Sequence, residues 1–189
     1  MQKDSLDPRN GNASWPGLLE NTSHPGEELL EMTVEANKAL VRRYFEDAPG
    51  NPDVCEEIFA PIFRFHTLQH SQNPDGESNP KSEKATYQWL KKTWGNWSAT
   101  IDEMIGEGDR IVMCFTFHGV QQGEYQNLPP TNKKVAFAGI NIFRIENGKI
   151  AELWDLTDRI WMWQQLGGLP ETDEFISRAR ERMGSKSKR

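Results

Sequence analysis

The stretch "NIFRIENGKIAELWDLTD", residues 141–158, predicts two antiparallel strands joined by a tight turn. Apolar and polar residues alternate on both sides of Asn147 and Gly148. Asn-Gly between two such runs is the strongest short-range signal for a β-hairpin. The second strand ends near two carboxylates, Asp155 and Asp158, and the apolar segment "RIWMWQQL" follows. The hairpin therefore fixes one part of the fold and places acidic side chains at its end.

The sequence upstream of this hairpin predicts helices first and long strands afterwards. A helix is expected from Thr33 through "VEANKALVRRYFEDA", a short one in "VCEEIFA", and a third in "SEKATYQWLKKTWGNW" with Ser82 as its N-cap. Period-two patterns predict strands in "PIFRFHTL", "SATIDEMIGEG", "DRIVMCFTFHGVQQGEY" and "KKVAFAGINIFRI". This order is typical of an α+β domain whose helices pack on one face of a curved antiparallel sheet and enclose a cone-shaped hollow.

The 189 residues divide into three segments by composition. Residues 1–30 are rich in Pro, Gly, Asn, Ser and Glu, which predicts a flexible N-terminal arm. Residues 31–170 carry the helix and strand patterns of the domain. Residues 171–189 predict a short amphipathic tail helix that ends in basic residues.

Composition also excludes several classes of function. The net charge is -6 and no basic stripe is present, so binding to nucleic acid is not expected. No apolar run is long enough to span a membrane, and no apolar export signal opens the chain, which favours a cytoplasmic protein. Cys55 and Cys114 lie far apart in apolar surroundings, so we expect two reduced thiols and no metal site.

Asp155 is the leading candidate for acid/base chemistry. It lies between Trp154 and Leu156, near the end of an apolar strand. A carboxylate in a desolvated hollow has the raised pKa that proton abstraction next to a carbonyl requires. The alternative is a strand-end carboxylate that faces solvent. For Asp158 the favoured interpretation is an N-cap or an ion pair with Arg159.

Strand register raises a geometric condition for this site. If Glu146 pairs with Lys149 across a two-residue turn, Asn141 faces Trp154, and Asp155 lies on the opposite face from Asn141. The two side chains share the hollow only if a β-bulge intervenes near Trp154 or the turn is longer. Bulges are common beside active sites, so the sequence predicts one here.

Other polar and aromatic side chains are candidates with structural alternatives. His66 ends the first strand, where it is either an acid/base group or a hydrogen-bonded structural histidine. Its spacing from His70 resembles a metal pair, but without a third ligand no metal is expected. Tyr44 lies on the apolar stripe of the first helix and either lines a pocket or packs in the core. The abundant tryptophans either wall a pocket for a flat ligand or build core and interface.

Four segments resemble the SnoaL-like polyketide cyclases of the NTF2-like superfamily. They are "NKALVRRYFED", "FAPIFRFH", "GEYQNLPPTNKKVAFAGINIFRIENGKIAELWDLTD" and "QQLGGLP". The similarity covers roughly residues 33–170, and the ordered pattern between Gly123 and Leu166 is its specific part. The resemblance implies a cone-shaped α+β barrel with an apolar pocket, usually assembled as a homodimer or homotetramer.

The same resemblance implies an activity and a site. Members of this family close a ring of a polyketide ester by intramolecular aldol condensation, with neither metal nor organic cofactor. An aspartate at the position of Asp155 acts as acid/base, and a histidine on the neighbouring strand assists it. Asn141 occupies that second position here, and Gln122 replaces another frequent histidine. Asn141 can donate a hydrogen bond to an oxyanion but cannot exchange protons near neutral pH.

The sequence thus supports a cofactor-independent cyclase, or a related lyase or isomerase, acting on a hydrophobic small molecule. Asp155, Asn141 and His66 are the expected catalytic group. The expected substrate-binding side chains are Tyr44, Trp154, Gln122, Phe143, Trp94 and Asp158. The alternative is a non-catalytic binding or carrier protein with the same pocket, which the absence of both family histidines favours. An adaptor in the manner of NTF2 is a third possibility.

Overall fold

The computed structural model describes residues 25–67 and 76–186. Helix α1 spans Pro25–Asp47, a 3-10 turn spans Pro52–Val54, and α2 spans Cys55–Ile58. Strands β1 (Phe59–Thr67) and β2 (Gly76–Ser78) precede α3 (Pro80–Trp94). Strands β3 (Ser98–Glu107), β4 (Arg110–Val120), β5 (Lys134–Glu146) and β6 (Lys149–Thr157) follow, and helices α4 (Arg159–Leu166) and α5 (Thr172–Lys186) end the described chain.

Two helices begin earlier than the sequence pattern predicts. Helix α1 begins at Pro25 rather than at Thr33, so the last six residues of the expected N-terminal arm are helical. The rest of that arm, residues 1–24, lies outside the described residues. Helix α3 begins at Pro80, because the Asn79 side chain accepts hydrogen bonds from the backbone N–H groups of Lys81 and Ser82. Proline at the first helical position completes a strong start signal that moves the N-cap away from Ser82.

The six strands form one open sheet in the order β2-β1-β6-β5-β4-β3. Strands β3 to β6 form the expected antiparallel meander, and β1 adds to β6 in parallel. Strand β2 is a short edge strand in the polar segment "GES", which shows no strand pattern in the sequence. Because β2 and β3 lie at opposite edges, the expected cone is a curved sheet that does not close on itself. The α+β class with helices on one face is confirmed.

The hairpin between β5 and β6 contains the bulge that the site requires. Glu146 pairs with Lys149 across the Asn-Gly turn, as the sequence predicts. Ile150 and Glu152 then pair with two consecutive residues of β5, so Ala151 is an extra residue in β6. The predicted bulge is therefore present, but it lies at Ala151, three residues before Trp154.

This bulge reverses the orientation of the second half of β6. Beyond it, Asn141 of β5 stands directly opposite Asp155 of β6, where regular pairing would place Trp154. Both side chains consequently face the side of the sheet that carries the helices. One inserted residue therefore decides whether the carboxylate reaches the hollow.

Large apolar side chains fill the space between this concave face and the helices. Each of the strands β4, β5 and β6 alternates, so that one residue in two points inward. The fully or nearly fully buried members are Val41, Ile58, Phe59, Phe63, Ile111, Met113, Phe143 and Ile150. Helix α1 packs on β3 and β4, and helix α3 packs on β1 and β4. The core thus closes the narrow end of the hollow.

A polar loop after β4 is held together by the fully buried side chain of Gln121. The two N–H groups of its amide are shared among three carbonyl oxygens, those of Gly123 at 3.1 Å, Leu128 at 3.2 Å and Pro129 at 3.2 Å. Its amide oxygen accepts from the backbone N–H of Thr131 at 3.1 Å and from the hydroxyl of the same residue at 2.6 Å. One side chain therefore provides hydrogen-bond partners for polar groups of four residues in a loop that lacks regular secondary structure.

We expect Gln121→Ala to lower the free energy of unfolding by about 2–4 kcal/mol, because it leaves several buried polar groups without partners. Chemical denaturation measures the change. The matched control is Gln122→Ala. Because Gln122 is exposed, this substitution should lower the free energy of unfolding by less than about 0.5 kcal/mol. Equal losses in the two variants would contradict the assigned role of Gln121.

Candidate active site

A cavity of about 580 Å³ lies between the concave face of the sheet and helices α1, α3 and α4. Its walls are mainly aromatic and aliphatic. The polar side chains that line it include Tyr44, Glu83, Tyr87, Tyr125, Asn141, Asp155 and Arg159. A mostly apolar cavity with a few convergent polar groups is typical of a small-molecule site.

Asp155 projects into this cavity from β6. Burial among apolar groups disfavours the charged carboxylate and raises its pKa above the usual range for aspartate. The positive charge of Arg159 and a hydrogen bond from the Asn141 side chain act in the opposite direction, and burial remains the largest influence. The carboxyl group thus faces the cavity, and its pKa is shifted in the direction that acid/base chemistry needs.

Asn141 is buried, with 6% of its surface exposed, and reaches the cavity from the neighbouring strand. Because a carboxylate only accepts hydrogen bonds, the Asn141 amide is the donor in its bond to Asp155. The amide therefore orients the carboxyl group and stabilises its ionised form. The structure brings together these two members of the predicted catalytic group.

A second carboxyl group, that of Glu83 on α3, lies in the same cavity. Its side chain is 7% exposed, and its Oε2 accepts a hydrogen bond of 2.9 Å from the hydroxyl of Tyr44. Burial raises the pKa of Glu83, the Tyr44 hydrogen bond lowers it, and the charge of Asp155 raises it further. The hydroxyl of Tyr87 in turn donates to the backbone carbonyl of Tyr44 at 3.3 Å. Two acidic residues therefore share one cavity, and the charge of Asp155 disfavours ionisation of Glu83.

Tyr125 reaches the cavity from the loop that Gln121 holds. Its ring packs against Trp94 with centroids 5.3 Å apart and against Trp163 at 5.6 Å. Burial raises the pKa of Tyr125; the charge of Arg159 lowers it and that of Asp155 raises it. The loop thus adds an aromatic wall and a hydroxyl to the cavity.

A row of aromatic rings forms a flat apolar surface across the sheet. Trp97 stacks on Phe117 with an interplanar angle of 16° and centroids 5.5 Å apart. Phe117 stacks on Phe137 at 23° and 4.8 Å. All three residues line the cavity. Their shared orientation offers planar contact to a flat ligand.

His66, which the sequence predicts as a member of the catalytic group, lies away from the cavity in the structure. His66 pairs with Trp154 on adjacent strands, and their rings stack at 4.4 Å with an interplanar angle of 9°. His66 Nε2 also lies 2.8 Å from Oε2 of Glu152, whose other oxygen accepts from Arg144 Nε at 2.6 Å. This cluster occupies the outer face of the sheet, because the residues of β6 beyond the bulge alternate and Asp155 points inward. His66 and Trp154 therefore lie outside the cavity lining.

Three further residues expected to bind substrate also lie elsewhere. Gln122 is exposed after the end of β4. Phe143 is fully buried in the core below the cavity. Asp158 is the N-cap of α4, where its side chain accepts from the backbone N–H of Trp161 at 2.9 Å, which confirms the favoured interpretation. Tyr44 and Trp94, in contrast, do line the cavity.

Sequence reasoning missed Glu83, although a signal was present. Glu83, Tyr87, Leu90 and Trp94 follow one another at helical spacings of four, three and four, so Glu83 lies on the buried stripe of α3. An acidic residue on an apolar stripe indicates a buried group with a specific partner. Arg159 and Tyr125 gave no comparable signal, since their positions depend on a helix start and a loop.

The described residues contain no cluster of three or more His, Cys, Asp or Glu side chains arranged to hold a metal ion. No helix in the described part of the chain has the length and apolar character needed to cross a membrane.

The fold is an α+β domain whose apolar cavity has two interior carboxyl groups. Comparison with known families gives a narrower class: residues 39–166 match the model of the SnoaL-like polyketide cyclases. The match covers more than half of the chain. The protein belongs to this family, which confirms the resemblance drawn from the sequence.

Characterised relatives are similar at low identity. The aklanonic acid methyl ester cyclase DnrD of Streptomyces peucetius is 27% identical over 132 residues, which are 68% of this chain and 88% of that protein. The aklanonic acid methyl ester cyclase DauD of Streptomyces sp. strain C5 is also 27% identical over 132 residues, 68% of this chain and 80% of that protein.

Solved structures share the fold. TsrD from Streptomyces laurentii superposes with a TM-score of 0.63 at 27% identity, covering 71% of this chain and 97% of that one. A SnoaL-like polyketide cyclase from Agrobacterium tumefaciens gives a TM-score of 0.57 at 13% identity. The superposition covers 69% of this chain and 97% of that one. The uncovered part of this chain is therefore largely additional to the shared domain.

We expect Asp155→Asn to stabilise the protein at neutral pH. A carboxyl whose pKa is higher in the folded state than in the unfolded state makes folding less favourable as pH rises through that interval. The neutral amide removes this cost, so the gain should be present near pH 7 and disappear below the ordinary pKa of aspartate, about 3.9. Chemical denaturation across this pH range measures it.

Asp158→Ala provides the contrast, because loss of a helix N-cap should lower stability by about 1 kcal/mol. A destabilised Asp155→Asn variant at neutral pH would contradict a desolvated Asp155.

Proposed function

We propose that this protein is a cofactor-independent cyclase that closes a ring in a hydrophobic polyketide-like molecule by an aldol-type reaction. The observation that carries the proposal is the position of Asp155: it faces an apolar cavity directly opposite Asn141, with a raised pKa. Membership of the SnoaL-like polyketide cyclase family supports the same reaction class.

In this proposal the Asp155 carboxylate removes a proton from a carbon next to a substrate carbonyl group. The resulting enolate carbon attacks a second carbonyl carbon of the same molecule, so one C–C bond forms and one C=O π bond breaks. The new alkoxide oxygen takes up one proton. Asp155 returns to its ionised form when its own proton leaves, so the cycle consumes no oxidant, reductant or cofactor.

Asn141 and Arg159 would support the charges that this reaction develops. The Asn141 amide orients Asp155 by a hydrogen bond. The charge of Arg159 favours the ionised carboxylate before proton transfer and stabilises negative charge elsewhere in the cavity. Donors and charges that are already in place usually supply a large part of such a rate enhancement.

The aromatic lining favours a flat, polycyclic substrate. Trp97, Phe117 and Phe137 present near-parallel rings along one side of the cavity. Aklanonic acid methyl ester, on which the relatives DnrD and DauD act, is the logical first substrate to test. The low identity makes a differently substituted polyketide ester equally compatible with this lining.

We expect Asp155→Asn to lower kcat for this ester by about 100-fold to 10,000-fold, the range typical of general acid–base catalysis. The amide can no longer accept the proton, while its size and its contacts remain. Turnover is followed by chromatography of the cyclised product, and binding by quenching of tryptophan fluorescence. Unchanged affinity with lost turnover is the expected pattern.

The control is Asp102→Asn, an exposed carboxylate on β3, which should leave kcat unchanged. Near-normal turnover of Asp155→Asn would contradict the proposed role of Asp155. The second candidate, a carrier protein, is favoured by Asn141, which cannot exchange protons in place of a histidine. Binding of the ester without turnover by the wild-type protein would support the carrier.

The outer face of the sheet supports the expected homodimer or homotetramer. Ile140 and Leu156 pair across β5 and β6, and each leaves 38% of its surface exposed. Ile105 on β3 is 57% exposed. We propose that a second copy of the chain covers this apolar face.

The double variant Ile140→Lys, Leu156→Lys should shift the protein toward monomer in analytical ultracentrifugation, because four lysines would meet across a two-fold interface. The control is Ala39→Lys together with Ala85→Lys, at exposed positions on helices α1 and α3, which adds the same two positive charges away from this face and should leave the oligomer unchanged. An unaltered oligomer in the Ile140 and Leu156 variant would place the interface elsewhere.

A further inference from the structure

The cavity contains a second acidic residue whose setting differs from that of Asp155. Glu83 comes from α3, on the helical wall, whereas Asp155 comes from the sheet. Both line the cavity, and Glu83 is the more deeply buried carboxyl, with 7% of its surface exposed. A substrate held between sheet and helices therefore contacts one carboxyl group on each side.

We propose that Glu83 is the general acid of the reaction and protonates the alkoxide that forms when Asp155 has removed the carbon-bound proton. The proposal rests on the cyclase function proposed above and adds the group that completes its proton balance. In the ring-closing step, the O–H bond of Glu83 breaks and a new O–H bond forms on the former carbonyl oxygen. The proton held by Asp155 then returns to the Glu83 carboxylate, directly or through water.

The hydrogen bond from Tyr44 supports this assignment. The Tyr44 hydroxyl donates to Oε2 of Glu83 at 2.9 Å, so that oxygen already has a partner. A proton on Glu83 is consequently favoured on Oε1, from which it can be donated to substrate. After donation, the same hydroxyl stabilises the carboxylate that is left. Tyr44 is itself positioned by contacts with the rings of Phe59 and Tyr87.

The surrounding charges and hydrogen bonds also favour Asp155 as the base and Glu83 as the acid. Ionised Asp155 raises the pKa of Glu83, whereas Arg159 and Asn141 favour ionisation of Asp155. These influences favour an ionised Asp155 as the base and a protonated Glu83 as the acid. The other titratable groups whose interaction with Glu83 is evident are Tyr44 on α1, Cys55 on α2 and Tyr87 on α3, and burial raises the pKa of each. Neutral neighbours of this kind leave Asp155 as the charge that sets the ionisation of Glu83.

The first test is direct titration in the full chain without ligand. Carbon-13 labelling of glutamate side chains allows the Glu83 carboxyl signal to be followed by NMR, and Glu83→Gln assigns it. We expect a pKa above the ordinary value of about 4.3 for glutamate. Asp155→Asn should lower this pKa, and Tyr44→Phe should raise it, because the two variants remove opposite influences. A Glu83 that titrates at the ordinary value, or is unaffected by Asp155→Asn, would overturn the proposal.

The second test measures turnover of aklanonic acid methyl ester. Glu83→Gln keeps an acceptor for Tyr44 but has no acidic proton, so kcat should fall about 100-fold or more while KM changes less than about threefold. In the wild-type protein, kcat/KM should fall at high pH as Glu83 loses its proton. This fall should be absent from the pH profile of Glu83→Gln. Glu83→Asp, which retains an acid, should recover part of kcat. Glu103→Gln, an exposed change of the same charge on β3, is the control.

These outcomes separate the two proposals. A rise in KM with unchanged kcat in Glu83→Gln would make Glu83 a binding residue and overturn its role as acid. Absence of turnover in the wild-type protein would count against the cyclase function with this ester. In that case the titration still decides whether Glu83 is a protonated acid coupled to Asp155.

Discussion

The site depends on a single backbone irregularity, the bulge at Ala151. Without it, Asn141 would stand opposite Trp154, and the carboxyl group of Asp155 would emerge on the outer face among His66 and Arg110. With it, the carboxyl group enters an apolar cavity, and the indole takes its place outside. The extra residue leaves the turn itself unchanged, so the hairpin keeps its strong local signal while the strand beyond it is reoriented.

Placing two carboxyl groups in an apolar interior costs folding free energy, and the fold offsets this cost locally. Asp155 receives a hydrogen bond from Asn141 and attraction from Arg159, while Glu83 receives a hydrogen bond from Tyr44. Among residues 25–67 and 76–186, neither group has a close ion-pair partner that would hold it permanently ionised. The outer-face residue Glu152 shows the contrast: hydrogen bonds from His66 and Arg144 lower its pKa. The same strand thus carries a carboxyl group with a lowered pKa, Glu152, on its outer face and one with a raised pKa, Asp155, on its cavity face.

Much of this fold could be predicted from local patterns. The Asn147-Gly148 turn, the alternation in β4 and β5, and the apolar stripes of α1 and α3 are short-range signals, and the structure follows them. The need for a bulge also followed from register and from the family resemblance. Local patterns did not predict features that depend on contacts between residues far apart in the sequence. The face on which His66 lies depends on its parallel pairing with β6, and no local pattern records that pairing.

The same reasoning explains which site residues were found. Asp155 and Asn141 belong to the hairpin, where sequence and geometry are closely linked. Glu83 lies at the helical period of the buried stripe of α3, but acidic residues occupy solvated helix faces so often that the period alone does not single it out. Arg159 reaches the cavity because Asp158 caps α4 and fixes where the helix starts. Side chains that arrive through caps and loops are set by tertiary structure, so a linear pattern cannot place them.

The buried amide of Gln121 has a consequence for how cavities of this kind diversify. Its five bonds make the segment that carries Tyr125 self-supporting, with the left-handed residues Gln126 and Asn127 at the tip. One wall is therefore rigid before any guest molecule arrives. Changes in guest size would have to be accommodated by the rest of the cavity lining, where one exchanged side chain alters the volume without disrupting a hydrogen-bonded loop. Sequence changes that alter specificity should then be concentrated outside this loop.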